Sequence, residues 1–182
     1  ILLFKRFESS VYAFRETVKR LLRMHQSFIT SLDQGFVPAG EDAQYILYES
    51  DALEEGDLVD ALREVSKRYD AGDFDLKTLR AHIEHDIELL EKILKLVSPI
   101  TADKDAKLQT LKKRLAEKPL KGAKRLIFTQ YADTAKYLSA NLNPGGQDPQ
   151  IEVIFSGDKS KEKIVGRFAP KANPECRFGK DE

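Results

Sequence analysis

Two stretches of this chain fit only one kind of regular structure. Val11, Phe14, Val18, Leu21, His25, Phe28 and Leu32 alternate spacings of three and four, and Leu76, Leu79, Ile83, Ile87, Leu90, Leu94 and Val97 do the same. That rhythm returns to one side of a 3.6-residue helix but to both sides of a strand, so it predicts two long amphipathic helices. Each apolar seam has to be covered by another element, which points to a helical bundle. Gly35 is placed to stop the first helix and Pro99 the second. Glu8 to Ser10 can cap the first if residues 1–7 form a preceding segment, and Asp75 can cap the second.

The shorter elements follow from the same rules. Residues 33–57 carry Gly35, Pro38, Gly40 and Gly56 and read as a loop with a short turn around Tyr45 to Tyr48. A short helix is expected over about residues 57–69, through Leu58, Ala61, Leu62 and Val65. Another is expected over about 104–117, through Leu108, Leu111 and Leu115, ending before Pro119 and Gly122. After Gly122 the rhythm changes. KRLIFT and IEVIF are short apolar runs, ADTAKYLSANL between them is amphipathic, and KEKIVGRF follows the turn SGD. That order predicts β-α-β-α with parallel strands. Two parallel strands do not complete a sheet that buries both faces. The expected fold is therefore an α-helical bundle over residues 1–118 joined to an incomplete α/β portion over 119–182, mostly α overall.

Composition narrows the setting. The 182 residues are 41% hydrophobic and 33% charged, enough for one ordinary domain or two small ones without staples. No apolar run approaches the roughly 20 residues that cross a bilayer, so no membrane partner is expected. Cys176 is the only cysteine and has no partner for an internal disulfide, which suits a reducing, cytoplasmic location. Ile1 as first residue and Met24 as sole methionine suggest an excised or processed piece without a secretory leader. The net charge of zero conceals segregation: residues 1–40 sum to +3, 41–62 to −8, 63–98 to −1 and 99–182 to +6. The basic C-terminal part suits a polyanion and the acidic block repels one.

Motifs for catalysis are missing. The chain has no glycine-rich phosphate loop ending in Gly-Lys-Ser/Thr, no GxGxxG, no nucleophile elbow and no HExxH. His82 and His85 stand three apart beside Glu84, Asp86 and Glu88, a spacing that wet helix faces show routinely, and no metal site is assigned to them. His25 lies on an apolar seam and reads as a packed, hydrogen-bonded histidine. Cys176, near Arg177 and Lys180, reads as a bystander thiol. What remains are the loops after the two predicted strands: Thr129-Gln130-Tyr131 and Ser156-Gly157-Asp158-Lys159-Ser160. The second precedes a helix whose first turn offers free N–H groups, so hydroxyls, amides and Lys159 together suit phosphate oxygens.

KRLIFTQYADTAKYLSANL, followed about twenty residues later by IEVIFSGDKSKEKIVGRFAP, resembles the opening of the second RecA-like lobe of superfamily-two helicases. Within that superfamily it resembles the Swi/Snf-type ATP-dependent translocases of bacteria and archaea. RFESSVYAFRETVKRLL at Arg6 to Leu22 resembles the segment these proteins carry just after their first lobe, and the helical part matches the insertion between lobes. The resemblance implies a RecA-like parallel sheet and sequence-nonspecific contact with nucleic acid, duplex DNA foremost. Thr129, Gln130, Tyr131, Ser156 and Gly157 would then lie along the backbone, and Lys159, Ser160 and Lys161 would extend the strip. Arg167 would brace the second turn or touch phosphate, and Arg15, Lys19, Arg20 and Arg23 would supply a secondary contact. The phosphate loop, the Mg-binding acid and the arginine finger of a phosphoryl-transfer motor are all missing. The resemblance thus implies ATP and Mg bound by the parent enzyme and none bound by this fragment, no catalytic residue here, and the other motor lobe of the same parent chain as partner. The alternative is a noncatalytic helical protein-interaction module.

Overall fold

The computed structural model describes residues 2–49, 55–67 and 69–173. Their order is α1 (Leu2–Ser9), α2 (Val11–Asp33), α3 (Glu41–Glu49), α4 (Glu55–Ser66), α5 (Leu76–Val97), α6 (Ala106–Ala116), α7 (Ala132–Leu142) and α8 (Lys161–Phe168). Short 3-10 turns stand at Ala71–Asp73 and Pro144–Gly146. Both long helices lie where the three-four rhythm puts them.

Their ends have local causes. Ser10 turns its hydroxyl onto the Ala13 N–H (3.0 Å) and caps α2, separating it from α1. At the far end Gly35 takes φ +82. Its N–H bonds the Leu32 carbonyl (3.0 Å), and the Phe36 N–H bonds Ser31 (3.2 Å). That pair of bonds closes the helix in a Schellman arrangement, which needs a residue at ease with positive φ. Asp75 caps α5 through the Thr78 N–H (3.1 Å), and α5 stops at Val97, before Pro99.

Two compact units divide the chain, one holding Arg15–Pro99 and the other Ile1–Phe14 with Ile100–Glu182. The predicted boundary at 118/119 falls inside the second of these. In the unit of residues 15–99, Ala43, Leu58 and Leu62 form a buried cluster, with Phe36, Ile46, Leu47 and Val65 packed against it. Helix α5 buries Ile83, Leu90 and Val97 from its seam. Helix α3 lies in the stretch expected to be a loop. Ala43, Ile46 and Leu47 carry a helical rhythm there, and Glu41 and Asp42 sit in the first turn, where the helix dipole favours acids.

The other unit buries Ala13, Phe14 and Leu108 and adds a set of polar contacts. Asp105 is buried, caps α6 through the Leu108 N–H (3.0 Å) and accepts the Tyr137 hydroxyl (3.1 Å). Tyr137 stacks on Tyr12 with ring centroids 4.9 Å apart. Lys107 donates to the carbonyls of Glu8 and Ser9 at the end of α1. The buried amide of Asn143 holds the following turn, bonding the backbone of Asp148 and Ile151.

One expectation is overturned: among the described residues there is no β-strand, hence no parallel sheet and no RecA-like α/β portion. Helices α7 and α8 stand where ADTAKYLSANL and KEKIVGRF place them, but KRLIFT and IEVIF are irregular, and no backbone hydrogen bond joins the two runs. The physical reason lies in the arithmetic of parallel sheets. Each strand needs ladder partners and cover on both faces, and a single pair supplies too little of either. Leu126, Ile127 and Phe128 consequently stand in solvent, Phe128 at 88% exposure.

Candidate nucleic-acid interface

The residues after the first apolar run meet the N-terminal helix. The Ser9 hydroxyl lies 2.8 Å from that of Thr134 and 3.3 Å from that of Thr129, and the Ser10 hydroxyl lies 2.9 Å from Thr134. Thr129 also accepts the Tyr131 N–H (3.2 Å). Above this row of hydroxyls Arg6 pairs with Asp133 (3.0 Å) and sets its guanidinium 4.7 Å from the centre of the Tyr131 ring. Thr129 and Tyr131 are thus engaged by the protein itself, while Gln130 is exposed. Ser9, Ser10 and Thr134 carry no signal in the sequence that marks them as these partners.

The second turn is built by Asp158. Its carboxylate accepts both the N–H (2.8 Å) and the hydroxyl (2.7 Å) of Ser160, and these bonds, the hydroxyl's first, hold its pKa below the ordinary 3.8. Gly157 takes φ +80, a conformation other residues resist, with open space where a side chain would project. Ser160 is therefore committed to the turn. Lys159 and Lys161 are exposed, and their side chains have no hydrogen bond or ion pair among the described residues. No hydrogen bond or ion pair joins this turn to residues 129–131. Arg167 pairs with Glu152, which fits bracing rather than phosphate contact.

On α2, Glu16 lies amid the basic face, 2.9 Å from Lys19 and 3.9 Å from Arg15. Arg20 reaches Thr17 (3.4 Å), and Arg23 is half-buried. Half-buried His25 points Nδ1 at the Leu21 carbonyl (2.7 Å), with Nε2 3.7 Å from Asp86. It helps line an open cavity of about 420 Å³ with Met24, Phe28, Leu47, Leu79 and Ile83, an apolar wall that offers nothing to phosphate. No group of three or more His, Cys, Asp or Glu side chains among the described residues could hold a metal ion. Cys176 lies outside the described residues. No described helix is long and apolar enough to cross a membrane.

Comparison with protein-family models, with curated proteins and with solved structures finds no match to this chain.

Proposed function

We propose that this chain grips the phosphate backbone of a nucleic acid, duplex DNA foremost, without reading its sequence, as a noncatalytic piece of an ATP-driven helicase or translocase. ATP and Mg handling belong, in this reading, to other segments of the parent motor. The observation that carries it is the hydroxyl row: Arg6–Ser10 and Thr129–Thr134, about 120 residues apart, are two of the three places that carry the helicase resemblance, and they form one bonded cluster. A further support is the turn held by Asp158, which leaves the Lys159 and Lys161 side chains free for phosphate.

The test is fluorescence anisotropy of the chain with a mixed-sequence duplex of about 20 base pairs across a salt series. Lys159→Ala with Lys161→Ala should weaken binding for every duplex alike and reduce the slope of log K against log salt by about 1 to 2. Equal affinity of the variant at low salt removes these lysines from the reading.

A second reading, a noncatalytic helix-docking module, is favoured by Leu89 and Leu96, exposed one heptad apart on α5, Leu96 at 76%. Binding to a protein partner that ignores salt and fails in Leu96→Lys would replace the first reading with this one.

A further inference from the structure

Between residues 112 and 125 the chain places seven bases against one acid, Glu117. The structure sorts the seven into two kinds. Lys124 and Arg125 are spent on the fold: Lys124 donates to the Phe168 carbonyl, and Arg125 bonds the carbonyls of Ala123 (2.9 Å) and Leu115 (3.2 Å). Lys112, Lys113, Arg114, Lys118 and Lys121 have no side-chain hydrogen bond or ion pair among the described residues, and all but half-buried Lys112 are exposed. The backbone that carries them is ordered. The Glu117 N–H bonds Arg114 (3.3 Å), the Lys121 N–H bonds Glu117 (2.9 Å), and the Ala123 N–H bonds Leu120 (3.2 Å).

Lys113 and Arg114 sit in the last turn of α6, where the negative end of the helix dipole favours cations. That account does not reach Lys118 and Lys121, which lie beyond the helix. Four exposed cations without an ion pair among the described residues, two in the last turn of α6 and two in the stretch that follows it, repel one another and gain from a polyanion. We infer that Lys113, Arg114, Lys118 and Lys121 form a second phosphate-binding surface, one that takes the backbone of a nucleic acid. A membrane surface fits less well, because α6 has already committed its apolar face to the fold: Leu108 is buried, and Leu111 and Leu115 are half-buried. The inference shares its polyanion with the reading above but none of its residues.

The test uses the whole chain and a mixed-sequence duplex of about 20 base pairs. The variant is Lys113→Gln, Arg114→Gln, Lys118→Gln and Lys121→Gln together, compared with Lys159→Ala/Lys161→Ala. All four positions are exposed, and an unchanged circular dichroism melt verifies folding. The expected result is a salt slope lower by about 3 and affinity at low salt down about 100-fold. Unchanged slope and affinity in the quadruple variant, while the 159/161 variant weakens, overturns this surface and leaves the earlier reading standing. The converse result upholds the surface and removes Lys159 and Lys161. No duplex binding by the unaltered chain overturns both. Binding to anionic phospholipid vesicles without duplex binding reassigns the four cations to a membrane and overturns the inference as well.

Discussion

Residues 15–99 and the unit of 1–14 with 100–173 differ in the contacts that mark them. In the first, Leu58 and Leu62 are wholly buried against Ala43 and ringed by Phe36, Ile46, Leu47 and Val65, an apolar contact that cares about volume but little about direction. In the second, beside buried Ala13, Phe14 and Leu108, directional contacts stand out: buried Asp105 between a helix start and a tyrosine, and the hydroxyls of Ser9, Ser10, Thr129 and Thr134 bonded in a row. Apolar packing degrades gradually as side chains shrink, whereas a buried polar group that loses its partner is left with its full desolvation cost.

The largest break in the comparison should come from Leu62→Ala. It removes atoms from a site with 0% exposure and is expected to cost about 3 kcal/mol, read as a lower urea midpoint. Hydrogen exchange should locate the loss in α3 and α4; an unshifted midpoint would deny the cluster its role. Asp105→Ala comes next, at about 2 kcal/mol, since it strips the α6 cap and removes the acceptor of the Tyr137 hydroxyl. Pairing it with Tyr137→Phe sharpens the point, because additive costs would mean that the two side chains do not cooperate. Thr134→Val keeps the shape and removes the hydroxyl at the centre of the row, for about 1 kcal/mol. A larger loss in Thr134→Val than in Leu62→Ala would reverse the contrast between the units.

The smallest effect is a pH effect at the surface. Asp75 and Asp158 are held below the ordinary 3.8, Asp75 chiefly by the Thr78 N–H and Asp158 chiefly by the Ser160 hydroxyl. Such a carboxyl binds its proton less tightly folded than unfolded, so its stabilising contribution is complete above 3.8 and fades as pH falls through the lower folded value. Carboxyl chemical shifts followed by NMR should show both titrating below pH 3.8, and Asp158→Asn should free the start of α8 from that dependence. Titration at the ordinary value would contradict the hydrogen-bonded turn.

How much of this was legible in the sequence depends on the range of the interaction. Helix α2 and helix α5 could be read end to end, because seam, cap and stop are all local: Ser10, Gly35, Asp75 and Pro99 act within a few residues of themselves. Helix α3 was hidden by Pro38 and Gly40, which mark the turn before it, and by an acidic composition that masked Ala43, Ile46 and Leu47. KRLIFT and IEVIF mislead for the opposite reason. An apolar run states that a strand is possible, while its ladder partner is a matter of the whole fold. At the candidate site, exposed Lys159 and Lys161 could be named from SGDKSK alone. Nothing in the spacing announces that Ser9 meets Thr129 and Thr134, since a hydroxyl carries no periodicity.

The row of Leu126, Ile127 and Phe128 also bears on the protein as a material. An uncovered apolar triplet without hydrogen-bonded backbone is where one molecule adheres to the next, and a chain of net charge zero has little long-range repulsion to keep copies apart. These three side chains favour self-association in a concentrated solution, and a single charged residue in place of Ile127 should reduce it.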